Sequence, residues 1–199
     1  MANKPAAPAL SASAKACIDK LIAAVGGTPG AKQYVPVLVA RAKKAGVSDP
    51  AQVAYVLATA QHETDRFNTL YEYGDQAYFT RYDGRADLGN TQPGDGYRFR
   101  GRGFVQITGR VNYQKFQNKL GIDFLGDPDL AAKPDYAAAI AIVGMKEGSF
   151  TGVSLSDFLG GGKHDFVNAR KIINGLDQAD KIAGYAQTLY GILKTCTPW

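Results

Sequence analysis

Apolar residues recur at helical spacing along most of the chain, and the interruptions fall where turn-forming residues cluster. Ser11 or Ser13 is placed to cap a first helix with apolar positions Cys17, Ile18, Leu21, Ile22 and Val25, which Gly26 and Gly27 end. A turn follows at Thr28-Pro29-Gly30. The pattern then predicts a second helix from about Pro36 to Ala45, because Pro fits a first turn and Gly46 an exit. The third start signal is the clearest. Asp49 is a good N-cap, Pro50 suits the first helical position, and Gln52 stands where a capping box places it. Val53, Val56, Leu57, Ala60 and Phe67 continue that helical pattern.

Residues 68–110 break the periodicity. They are rich in Gly, Tyr, Asp and Arg, with short alternation at Leu70-Tyr71-Glu72-Tyr73, and predict loops with a small hairpin or short sheet. A long irregular stretch inside a compact domain is more often functional than idle. Helical spacing returns over Asn112–Leu120, Pro134–Glu147, Asp165–Asn174 and Gln178–Lys194, and Gly160-Gly161-Gly162 reads as a hinge or connector. The expected organisation is an Ala/Pro-rich flexible arm over residues 1–10 and one mainly α domain over 11–199. Within it an N-terminal helical segment (11–48) precedes the core (49–199).

Composition narrows the field. The 199 residues are 45% hydrophobic and 21% charged, ordinary for a folded globular chain. The 23 basic and 18 acidic side chains give a formal charge of +5, which favours anionic partners such as nucleic acid, membrane surfaces or bacterial cell wall. Arg81, Arg85, Arg98, Arg100 and Arg102 add a local basic cluster, but no nucleic-acid-binding motif accompanies it, so no nucleic-acid partner is expected. Arg102 reads as structural, holding the loop that carries Gln106. Residues 1–10 lack the apolar core of a signal peptide and no run is long enough to span a bilayer, so no stable membrane insertion is expected. Cys17 and Cys196 lie near opposite ends of the sequence. They read as two reduced thiols of a cytosolic protein, with a single terminal staple as the alternative. Two histidines without nearby Cys give no metal-ligand spacing, so neither metal nor cofactor is expected.

The carboxylates carry the candidate chemistry. On a helical wheel Glu63 falls roughly 20° from Val56, at the edge of the apolar stripe. There a carboxyl is partly desolvated and kept protonated, the state a general acid needs; the plainer reading is a surface glutamate with its stem on the core. Glu72, nine residues on, would face away on one continuous helix. It meets Glu63 across a cleft only if the chain folds back at Phe67-Asn68-Thr69. With Tyr71, Tyr73 and Gly74 as neighbours it should stay solvated and ionised, and Asp75 or Asp83 could fill the same place. One protonated and one ionised carboxyl is what glycoside hydrolysis requires. Tyr71, Tyr73, Tyr78, Tyr82 and Tyr97 could then stack on sugar rings or pack the loop lobe.

His62-Glu63-Thr64 before Phe67, then Glu72-Tyr73-Gly74, then Gly101-Arg102-Gly103-Phe104-Val105-Gln106-Ile107-Thr108 with Asn112-Tyr113, and finally Ile172-Ile173-Asn174-Gly175 occur in this order. Over roughly residues 50–190 this series resembles the family 19 glycoside hydrolases, the plant-type chitinases and related phage endolysins. The resemblance implies a mainly α, lysozyme-like fold and inversion at the anomeric carbon. Glu63 would be the general acid, Glu72 the general base that activates water, and Thr108 the hydroxyl that helps hold it. The two carboxyls should then stand about 6.5–9.5 Å apart. Gln106, Asn112, Tyr113, Asn174 and Tyr73 would contact sugar amides and hydroxyls, and Arg170 would pair with an acid near the site. The chain lacks the disulfide set of the plant enzymes and shows no Cys-rich chitin-binding module, which is more like a phage lysin. Peptidoglycan glycan strands are thus the expected substrate, with chitin oligomers as the alternative, and a lytic transglycosylase or a non-catalytic wall-binding protein behind them. The protein is expected to be a monomer, made in the host cytoplasm and released to the wall by a holin-type passage.

Overall fold

The computed structural model describes residues 10–199; of the expected arm over residues 1–10, all but Leu10 lies outside the described residues. The fold is mainly helical and is organised around one buried helix. Helix α1 (Ala12–Ala24) is capped by Ser11, whose hydroxyl accepts from the Ala14 amide. Helix α2 (Pro29–Lys44) starts seven residues before the expected point, because Thr28 caps it and Pro29 takes the first position; Pro36 then sits inside the helix and forgoes one backbone bond. Helix α3 (Pro50–Glu63) begins as read, with Asp49 accepting from the Ala51 and Gln52 amides. The Gln52 side chain does not return to the cap: its amide donates to the carbonyl of Leu159, 3.0 Å away.

Every residue of α3 from Val53 to Gln61 is buried, which an all-round apolar helix requires. Its main partner is the last helix, α9 (Ala179–Leu193), with α2 and α7 (Pro134–Lys146) also against it. A single apolar cluster runs from Cys17 in α1 to Leu193 in α9. At the C-terminal end of α3, His62 and Glu63 emerge from this core.

Beyond it the chain does not continue the helix to Phe67. Asp65, Arg66 and Phe67 all adopt left-handed backbone, with φ of 47°, 59° and 68°. Phe67 reaches the core through this reversal. Thr64 clamps the turn: its hydroxyl donates to the Ala60 carbonyl at 2.6 Å and accepts from the Phe67 amide at 3.0 Å.

The loop-rich lobe over residues 68–109 holds no hairpin. It contains short helices α4 (Gln76–Phe79) and α5 (Asp95–Arg98) and two isolated bridges, Tyr71 with Arg102 and Arg102 with Ile107. Buried polar side chains tie it together. Asn90 donates to the Tyr82 carbonyl and accepts from the Arg110 amide, and Asp95 pairs with Arg110. Helix α6 (Arg110–Leu120) follows. The antiparallel pair of strands lies elsewhere, β1 (Leu159–Gly160) against β2 (Lys163–His164) after α8 (Leu155–Phe158). The three glycines read as a hinge are its tight turn, with positive φ at Gly160, Gly161 and Gly162. The helix expected over 165–174 is a 3-10 turn, Asn168–Ile172.

Cys17 and Cys196 form a disulfide, not two free thiols. The compartment argument favoured reduced thiols, but packing of α1 on α9 brings the C-terminal tail to Cys17. Among the described residues no helix is long and apolar enough to cross a membrane.

Candidate active site

The end of α3, the loop lobe and α9 enclose a cleft of about 650 Å³. Glu63 and Glu72 both line it, together with Gln106, Thr108 and Tyr73. The chain reversal at residues 65–67 makes this meeting possible, since it returns Leu70 and Tyr71 toward the Gly101–Ile107 loop.

Glu63 is the last residue of α3. Its surroundings differ from the apolar edge read off the wheel. Arg170, buried in the 168–172 turn, donates from Nη1 to Glu63 Oε1 at 2.7 Å and from Nε to the Asp177 carbonyl at 3.0 Å. A wheel cannot see a partner 107 residues away. This charge-assisted pair fixes the carboxyl's direction and leaves Oε2 without a protein donor among the described residues. The expected pairing of Arg170 with an acid at the site is therefore present, and the acid is Glu63.

Glu72 is held from the loop lobe. Its backbone amide donates to the Gly101 carbonyl at 3.0 Å. Its Oε2 accepts from the Gly101 amide and its Oε1 from the Tyr82 hydroxyl, each at 2.9 Å. Two donors to one carboxylate fix its direction. Gly101 is required for this approach: a Cβ there would stand 2.8 Å from Glu72 Oε2 and 2.9 Å from Gln106 Oε1. The other two acids that sequence left open are engaged elsewhere. Asp75 caps α4 through the Tyr78 amide, and Asp83 accepts from the Gly94 and Gly96 amides. Neither lines the cleft.

Gln106 takes left-handed backbone (φ 50°), a strained conformation of the kind that concentrates at functional sites. Its side-chain amide donates to the Gly103 carbonyl at 2.8 Å. The Thr108 hydroxyl donates to the Gln106 carbonyl at 3.0 Å, so its lone pairs remain to accept from a water. Asn112 does not line the cleft; its side chain donates to the Thr108 carbonyl at 2.8 Å and positions that residue.

Two further residues that sequence placed against substrate also lie outside the cleft. Tyr113 is fully buried, and its hydroxyl donates to the Arg100 carbonyl and accepts from Arg102; burial pushes its pKa up to about 12. Its place beside Asn112 in the motif reflects packing under the loop. Asn174 is exposed outside the cleft and accepts from the amide of Gly175. Arg102 is buried and ties the loop to Asp129 and to the carbonyls of Arg98 and Arg100.

The cleft also holds residues that sequence did not assign to the site. His62, half-buried, stands beside Glu63; burial lowers its pKa, outweighing the upward pull of Glu63. Tyr73, which the family resemblance did place against substrate, donates to Asp65 Oδ2 at 3.1 Å and links the two walls. Arg66 lies on the α3 side, and Lys181 and Tyr185 come from α9. The i, i+4 spacing of the last two marks one helix face. No local signal ties that face to Glu63, because the contact is tertiary.

No family model matches the chain. A Haemophilus influenzae protein described as a glycosyl hydrolase family 19 domain-containing protein is 28% identical, over 56% of this chain and 69% of its own. Chitinase C from Streptomyces griseus shares the fold with a TM-score of 0.68 at 18% identity, over 96% of this chain and 81% of that one. A bacterial family 19 chitinase does so at 0.56 and 19%, over 89% and 85%. The chain thus has the fold of family 19 chitinases. The sequence likeness, independent of the fold, supports the glycoside hydrolase class.

Proposed function

We propose that this protein is an inverting glycoside hydrolase of the endolysin type, cutting β-1,4 bonds in the glycan strands of bacterial peptidoglycan. The observation that carries the reading is the pair of glutamates on one cleft, one held by a guanidinium and the other by an amide and a phenol. Glu63 delivers a proton to the leaving oxygen. Arg170 orients that carboxyl through Oε1 and leaves Oε2 to face the leaving oxygen. Glu72, acting as the base, draws a proton from water that Thr108 helps to hold. That water attacks the anomeric carbon from the opposite face as the C–O bond breaks. No cofactor enters the reaction.

The basic balance of the chain suits an anionic wall. The disulfide suits a protein that works outside the reducing cytoplasm; we propose synthesis there and holin-type release, with the monomer as working form. A chitinase is the second reading, favoured by the fold shared with chitinase C. Mass spectrometry of digested peptidoglycan, beside release from chitin hexamers, tests the choice. Hydrated reducing ends from peptidoglycan are expected. Cleavage of chitin alone would transfer the assignment to the second reading.

A further inference from the structure

The cleft carries cations that a neutral polysaccharide does not need. Lys181 projects from the first turns of α9, and Arg66 follows Glu63 by three residues in the left-handed turn. Among the described residues neither side chain forms an ion pair, in contrast to Arg170, Arg102 and Arg110, whose guanidinium groups are all matched to carboxylates. The Arg66 guanidinium instead lies over Gly26, where an added Cβ would stand 3.0 Å from Nη2. Lys181 is near enough to His62 to oppose its protonation, which places its charge at the Glu63 side of the cleft. Cation and catalytic acid thus share one wall.

Chitin offers such a wall no charge. Peptidoglycan does: alternate sugars carry a lactyl group, joined to a stem peptide with free carboxylates. We propose that Lys181, with Arg66 lining the same cleft, binds a stem-peptide carboxylate and selects peptide-bearing glycan over chitin. The inference rests on the glycan-cutting assignment above and names the substrate feature that the same cleft reads. A solvent-exposed pair of this kind is modest in strength, so it adjusts binding and does not replace the contacts to the sugars.

The test is read by binding. In a Glu63→Gln host, which prevents turnover, dissociation constants are measured calorimetrically for soluble peptide-bearing glycan strands and for chitin hexamer. Lys181→Gln is expected to weaken binding of the strands by about three- to fivefold relative to the hexamer. Lys181→Glu should widen that gap, Lys181→Arg should close it, and high salt should erase it. An equal change for both ligands, or strands held as tightly by Lys181→Glu as by the host, would overturn the proposal. A Glu63→Gln host that still cuts would instead remove Glu63 from the role of acid, and failure of the unsubstituted protein to cut either glycan would sink the hydrolase assignment; selection is scored independently of turnover.

Discussion

Glu63 shows what a single position can and cannot reveal. Its residue type and place near the end of a capped helix were readable, but its partner Arg170 was not fixed by any periodicity, because the ion pair spans 107 residues. Replacing Glu63 with Gln keeps an acceptor for Arg170 and removes the transferable proton. Turnover should fall about 10²–10⁴-fold with binding retained. Unchanged lysis would exclude Glu63 as the acid. At Thr108, Val keeps shape and loses the acceptor, so kcat should fall more than KM rises; equal damage to both would point to sugar binding instead. His62 gives a pH signature. Its folded pKa lies below the unfolded value of about 6.5, chiefly through burial. The unfolded chain therefore binds the proton more readily, and stability is full above that value and declines as pH falls through the folded one. His62→Gln should flatten the acid limb of a Tm-versus-pH curve; an unaltered limb would place the titrating group elsewhere.

Elements were legible where the signal is local. The caps at Ser11 and Asp49 and the start of α7 at Pro134 lie where they were read. Pro36 misled, because a proline can be carried inside a helix that an earlier cap has already begun. The loop lobe was recognised as irregular, yet its clamps Asn90, Asp83 and Asp95 act on backbone groups up to 20 residues away and leave no periodic trace. Two close approaches fix the cleft. A Cβ at Gly30 would stand 1.8 Å from the Phe67 carbonyl oxygen, so α2 packs directly on the left-handed turn. Gly30→Ala should destabilise the protein and disturb the end of α3 with it. Gly101→Ala presses on Glu72 and Gln106, and should cost activity far more than thermal stability. A Gly101→Ala enzyme with full turnover would show that the Glu72 carboxylate need not be held there.

At the scale of the molecule, sequence order conveyed the fold class and the family likeness but not closure. The disulfide joins α1 to the tail after α9, across 179 positions, and only the assembled helix packing makes it possible. Replacing Cys17 with Ser should cost about 2–5 kcal/mol and lower Tm by roughly 5–15 °C. A Tm unaffected by the change would mean that the staple does not constrain the unfolded chain. Charge is also unevenly placed: α1 and α2 carry Lys15, Lys20, Lys32, Arg41, Lys43 and Lys44 against Asp19 alone. If the proposed wall substrate holds, that surface should add a salt-sensitive attraction to it, separate from the cleft. The glutamates remain the centre of the account, and the configuration of the fresh product reports on both together. Proton NMR of a soluble glycan during early turnover should show the α-anomer forming first, as direct attack of a Glu72-activated water demands. A β-anomer formed first, or a 1,6-anhydro end, would contradict it.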